Sequence, residues 1–136
     1  MRTYGYSRRL DWMPKTEVLF YCEADQSVPV LDWLGELHRF DRRAYNKCRA
    51  AIGHLGQLGH ELRRPTADLL RDGIYELRAC VGRVNYRLLY FFHGRNVAVV
   101  AHGLTKEREI PKSDLETAIK RKKQFEANPR MHTYQE

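Results

Sequence analysis

The stretch IYELRACVGRVNYRLLYFFHGRNVAVVAHGLT, Ile74 to Thr105, holds three runs of strand-forming residues separated by two short glycine-led breaks. In Ile74 to Val81, Tyr75, Leu77 and Ala79 alternate with Glu76 and Arg78. In Val84 to His93, Tyr86, Leu88, Tyr90 and Phe92 alternate with Arg87. Alternation of period two marks a strand with one face turned to a core, so the aromatics read as packing residues. Val97 to Thr105 is the third run. Gly82-Arg83 and Gly94-Arg95 each put glycine first of two central residues, the pattern of a type II′ hairpin turn. A three-stranded antiparallel meander is predicted.

Two-residue turns fix the register, because opposed positions then have a constant sum. Val81 faces Val84, which sets Arg78 opposite Arg87. His93 faces Asn96, which sets Arg87 opposite His102. Lys106 shares the parity of His102 and extends the row. Like charges directly opposed destabilise a sheet, so the two arginines require a carboxylate such as Glu76 or Asp72, or else a bound anion. Guanidinium groups bind phosphate oxygens in pairs, which makes phosphate a suitable anion. Lys106 is either the edge of such a site or a solvated lysine in the run Lys106-Glu107-Arg108-Glu109. His102 is the row member whose ordinary pKa lies near neutrality. It reads either as a proton carrier or as a core histidine.

Outward from the meander, Thr16 to Glu23 (TEVLFYCE) is an apolar run suited to a strand buried on both faces. Met1 to Lys15 before it reads as an arm. Ser27 as N-cap, Pro29 in a first turn and Leu31, Leu34 and Leu37 predict a helix ending near Phe40. Asp41 as N-cap with Tyr45, Cys48, Ile52 and Leu55 predicts a second, up to Gly56 and Gly59. Leu62 to Asp72 reads as a polar connection. After Pro111, Ser113 and Glu116 match a capping box ahead of Leu115, Ala118, Ile119 and Phe125, and Asn128-Pro129 stops that last helix. The tail is Arg130 to Glu136. The expected fold is α+β: an antiparallel sheet of the meander plus the N-terminal strand, with all helices on one side.

At 136 residues, residues 1–136 make one domain with one ordinary core. A formal charge of +7 and a pI near 9.5 select a polyanionic partner, nucleic acid or an acidic protein. Lys112, Lys120, Arg121, Lys122 and Lys123 give the last helix a basic surface, suited to a phosphate backbone or simply to solubility. No apolar run spans a bilayer and no signal core follows the N-terminal arginines, so a cytoplasmic protein is expected. Cys22, Cys48 and Cys80 are too few and too widely spaced for a zinc site or a disulfide scaffold, and read as buried thiols. HExxH, P-loop, GxSxG and dinucleotide fingerprints are lacking. No metal or cofactor is expected.

Several pieces of Leu58 to Phe125 resemble the RelE/HigB toxin superfamily, in particular its phage-derived HigB-like branch. They are LGHELRRP (Leu58 to Pro65), LRDGIYELR (Leu70 to Arg78), NYRLLY (Asn85 to Tyr90), AHGLTKE (Ala101 to Glu107) and IPKSDLETAIKRKKQF (Ile110 to Phe125). The resemblance implies a microbial-RNase-like fold and a toxin that cleaves messenger RNA on the ribosome without a metal, held inactive by a helix-turn-helix antitoxin. It carries Arg87, Arg78 and Lys106 over as active-site residues. Many relatives place two adjacent lysines where this chain has Lys106-Glu107, and Tyr134 is the available substitute for a C-terminal tyrosine found in some. A gyrase inhibitor of the ParE type on the same scaffold, and a non-catalytic RNA-binding domain, are the alternative functions.

Overall fold

A computed structural model describes residues 15–106 and 109–136, with Lys106 described by its backbone alone. Apart from Lys15, the predicted arm lies outside these residues, as do Glu107 and Arg108. The order is β1 (Glu17–Tyr21), α1 (Pro29–Phe40), α2 (Arg42–Leu58), a 3₁₀ turn (Gly59–Glu61), β2 (Ala67–Arg71), β3 (Ile74–Val81), β4 (Val84–Phe92), β5 (Val97–Lys106), α3 (Lys112–Ala127) and β6 (Thr133–Tyr134). The six strands form one mixed sheet, ordered β2-β3-β4-β5-β1-β6. β3, β4 and β5 pair antiparallel in sequence order. β1 lies parallel to β5, Glu17 against Val97, where an all-antiparallel sheet was expected.

The expectation of helices on one side is overturned. Phe20, Leu77, Leu88, Tyr90 and Val100 pack with Ala44, Cys48, Ile52 and Leu55 of α2 and Val30 and Leu34 of α1. Leu19, Ile74, Leu89, Phe91 and Val99 point the other way and pack with Ala118 and Phe125 of α3. The reason lies in β4. Its run Leu88-Leu89-Tyr90-Phe91-Phe92 is apolar at both parities, and a strand apolar on both faces must be covered on both.

The segment read as a connection contains β2, an edge strand joined to β3 by Asp72-Gly73. Both turn residues have positive φ, 53° and 77°, the conformation of a type I′ hairpin turn. β6 was also unexpected; it pairs with β1 through Phe20–Tyr134 and Tyr21–Thr133. The tail is fastened further by Arg49, whose two terminal nitrogens each lie 2.8 Å from a Glu136 carboxylate oxygen. His132 is buried, stacked on Tyr21 at 5.2 Å, and donates from Nδ1 to the Cys22 carbonyl at 2.8 Å.

Helix starts follow the sequence in part. Asp41 caps α2 by accepting from the Ala44 N–H at 3.1 Å, and its other oxygen lies 3.2 Å from the Tyr86 hydroxyl. The Ser113–Glu116 capping box does not form: α3 begins two residues earlier than that cap would set, at Lys112, with Pro111 as N-cap. Ser27 bonds Asp25 rather than capping α1. Cys22 and Cys48 are buried as expected, whereas Cys80 is exposed. Among the described residues no helix is long and apolar enough to cross a membrane.

Candidate active site

Arg78 does face Arg87, across the two-residue turn Gly82-Arg83. Arg87 does not face His102. The β4–β5 connection is longer than two residues, Phe92 pairing with Ala98, and the register slips once more between Leu89 and Tyr90. Each shift adds one to the sum of opposed positions, so Arg87 meets Leu104 and His102 meets Leu89. Two such shifts preserve parity. His102 therefore stays on the Arg87 face but lies one row away, opposite Leu89, which in turn opposes Glu76.

Beside the arginine row, opposite Leu89, stands a residue the alternation had assigned to solvent. Glu76 is only 4% exposed. One carboxylate oxygen accepts from Arg78 Nη2 at 2.7 Å, and the other lies 3.4 Å from Arg87 Nη1. That second oxygen, Oε1, has no hydrogen-bond partner among the described residues, and neither does Arg87 Nε. Asp68 adds a weaker charge, 3.7 Å from Arg78, and is itself paired with Arg64 at 2.9 Å. The Glu76 bond holds the Arg78 guanidinium above its ordinary pKa, so it stays charged throughout.

The opposed arginines are thus made tolerable by a carboxylate between them, the first of the two offsets the sequence allowed. The offset is incomplete: Glu76 bonds Arg78 but stands 3.4 Å from Arg87, and a buried oxygen and nitrogen remain unmatched among the described residues. Buried polar atoms of that kind are costly and concentrate at functional sites. Glu76, Arg78 and Arg87 line a cleft of about 390 Å³, closed by Leu70 of β2, by Glu109 and Ile110 ahead of α3, and by Leu115 within its first turn. A cleft with two guanidinium groups and two carboxylates, Glu76 and Glu109, has the groups to contact an anion and to exchange a proton with it.

His102 is not part of that cleft. Its Nε2 lies 2.7 Å from Asp114 Oδ1, and its Nδ1 lies 3.1 Å from Arg121 Nη1. Arginine only donates, so Nδ1 accepts and Nε2–H donates to Asp114, and both ring nitrogens are occupied. Arg121 also donates to the Ala101 carbonyl at 2.8 Å and sits over the Tyr21 ring, its carbon 5.6 Å from the centroid. Together these contacts tie α3 to the sheet.

Lys106 ends β5 opposite Asn85, two positions along from the partner of Arg87. The five basic residues of α3 do not make one surface. Arg121 is committed inward, Lys122 pairs with Glu126 at 2.9 Å, and Lys112 is exposed at the other end of the helix from the rest. Lys120 and Lys123 are exposed and line a neighbouring cavity. Among the described residues no three His, Cys, Asp or Glu side chains are grouped as a metal site.

The cleft thus brings together two arginines of neighbouring strands and a buried carboxylate on an α+β sheet. Residues 35–123 match the family described as phage-derived protein Gp49-like (DUF891), and the chain belongs to that family, a toxin–antitoxin-related, RelE-like one. No curated protein matches the chain.

Proposed function

We propose that the protein is the toxin of a toxin–antitoxin pair, an endoribonuclease of the RelE/HigB type that cuts messenger RNA on the ribosome. The observation that carries this reading is the Glu76 carboxylate, buried between Arg78 and Arg87 with one oxygen unmatched, in a cleft open to substrate. The family membership supports the toxin class.

The reaction needs no metal in this scheme. A substrate phosphate that takes over Arg87 uncovers the buried Glu76 Oε1, which then takes the proton of a ribose 2′-hydroxyl. The 2′-oxygen attacks the adjacent phosphorus, the bond to the 5′-oxygen breaks, and a 2′,3′-cyclic phosphate is left on the upstream fragment. Arg78 and Arg87 hold the non-bridging oxygens as charge builds on them, a contribution of about 3 kcal/mol per donor if oxyanion-hole magnitudes transfer. Lys106, at the end of β5, is assigned to protonate the departing 5′-oxygen. The proton carrier is thus Glu76 in place of the expected His102, whose nitrogens are both occupied. Lys120 and Lys123 serve RNA binding, and an antitoxin of acidic surface, of the helix-turn-helix kind, covers the cleft.

Brief expression in cells followed by primer extension on abundant messages tests this. Codon-phased 5′ ends, absent with Glu76→Gln or Arg87→Ala, are expected. Intact messages during full growth arrest would overturn the nuclease reading.

A further inference from the structure

We propose that the seam between β2 and α3 is a single-stranded RNA groove, in which Arg71, Lys120 and Lys123 hold the phosphate neighbouring the one that is cut. The inference rests on the nuclease reading above and extends it to the flanking nucleotide.

The groove begins at the cleft. Leu70 and Leu115 close the cleft, and the next residues along the same two elements, Arg71 on β2 and Ile119 and Lys120 on α3, line a second cavity of about 530 Å³ with Lys123. On α3, Leu115, Ile119 and Lys123 are four residues apart and so rise about 6 Å per step along one face. On the sheet, Arg71 pairs with Ile74, two positions from Glu76, or about 7 Å. Both steps are comparable to the distance between neighbouring phosphates of an extended strand. Leu70 and Ile119 supply apolar surface between the two positions, where a base or ribose would lie.

The placement of Arg71 needs a specific device. Leu69 pairs with Tyr75, which faces α2, so simple alternation would send Arg71 to the α2 side as well. The register shifts between Leu69 and Arg71, and Arg71 comes to oppose Ile74, on the α3 side. A bulge in an edge strand thus re-aims one guanidinium into the groove, a use of bulges found beside active sites. The cavity also holds Asp72 and Glu116, and Asp72 occupies one Arg71 nitrogen at 2.6 Å. An incoming phosphate competes with Asp72 for that fork while Lys120 and Lys123 add charge from the other wall.

The test uses the intact protein and short RNAs made uncleavable by a 2′-O-methyl group at the cut, with one added nucleotide on the 5′ or the 3′ side. Binding is followed by fluorescence anisotropy across a salt series. Extension on one side should tighten binding about tenfold, as a charge-assisted contact does. Arg71→Ala with Lys123→Ala should abolish that gain and flatten the salt slope by about 0.7, the value for one phosphate of a single strand. The pair Arg42→Ala with Arg43→Ala, which removes the same charge from α2 on the opposite layer, should keep the gain. Equal gain in both double variants, or no gain on either side, overturns the groove. Message cleavage by the same variants is scored in parallel by primer extension in cells, so that a groove without message cleavage refutes the nuclease reading alone, and message cleavage without a groove refutes this inference alone.

Discussion

Replacing Glu76 by glutamine keeps the shape of the site and removes the charge that separates two arginines. At an effective dielectric of 20, the 3.4 Å contact to Arg87 corresponds to a gross attraction of about 5 kcal/mol, and the 2.7 Å contact to Arg78 to about 6. Most of that is already offset by the desolvation of burying the charges. Breaking a buried pair from one side costs about 3–5 kcal/mol, because the remaining charge is stranded. Arg78 is 32% exposed and keeps Asp68 at 3.7 Å, so the lower figure, about 3 kcal/mol, applies. For a chain of this size that is a fall in Tm of about 6–12 °C. Calorimetry with and without inorganic phosphate is the assay. Phosphate should restore part of the loss in Glu76→Gln, since an anion that binds only the folded form stabilises it by mass action, and should do less for the wild type. Cleavage should fall by about 10²–10⁴ in kcat with little change in KM, the range for a lost general base. A Glu76→Gln protein as stable as wild type would refute the charge argument, and one as active would refute the role of the carboxylate.

Arg87→Ala removes a phosphate donor while relieving the opposition to Arg78; kcat/KM should fall about 10²–10³-fold with far-UV circular dichroism unchanged, and full activity would remove it from the site. Gly103→Ala should lower Tm by about 3–9 °C, because its methyl would stand 2.5 Å from Trp33 Cε3 and overpacking of this kind costs about 1–3 kcal/mol; a neutral substitution would show that Trp33 moves freely. Burial and the Glu23 carboxylate push the Tyr21 phenol up to about 12. A folded pKa above the unfolded value of about 10 leaves its contribution intact below pH 10 and removes it as pH rises toward 12. Denaturant midpoints across that range should fall less steeply in Tyr21→Phe; parallel slopes in the two proteins would remove the assignment.

The first hairpin of the meander was legible because its turn carries its own signature, and with it the Arg78–Arg87 pair. The second was misread by two positions, since neither the longer loop nor the slip at Leu89 leaves a mark in residue type. Three missed features did leave one. Asp72-Gly73 is a type I′ dipeptide, so β2 could have been placed, although its exposed Leu69 hid the alternation. Leu89 and Phe91, out of phase with Leu88 and Tyr90, announce a second covered face. Glu76 shares the parity of Arg78 two residues on, and a lone acid beside two opposed arginines belongs with them. The direction of His102 had no such signal, because Asp114 and Arg121 reach it from a helix whose side of the sheet was itself misjudged.

The fastening of the tail bears on how the protein behaves when handled. β1 reads Glu-Val-Leu-Phe-Tyr, apolar and rich in β-formers, and its outer side is sealed by the two residues of β6 and by the grip of Arg49 on Glu136. Trimming the last few residues, or fusing a bulky tag there, would leave a bare apolar strand edge in water. Such an edge recruits strands from other molecules. The hazard of working at that end is therefore polymerisation, arising far from the cleft and leaving the chemistry of each folded copy untouched.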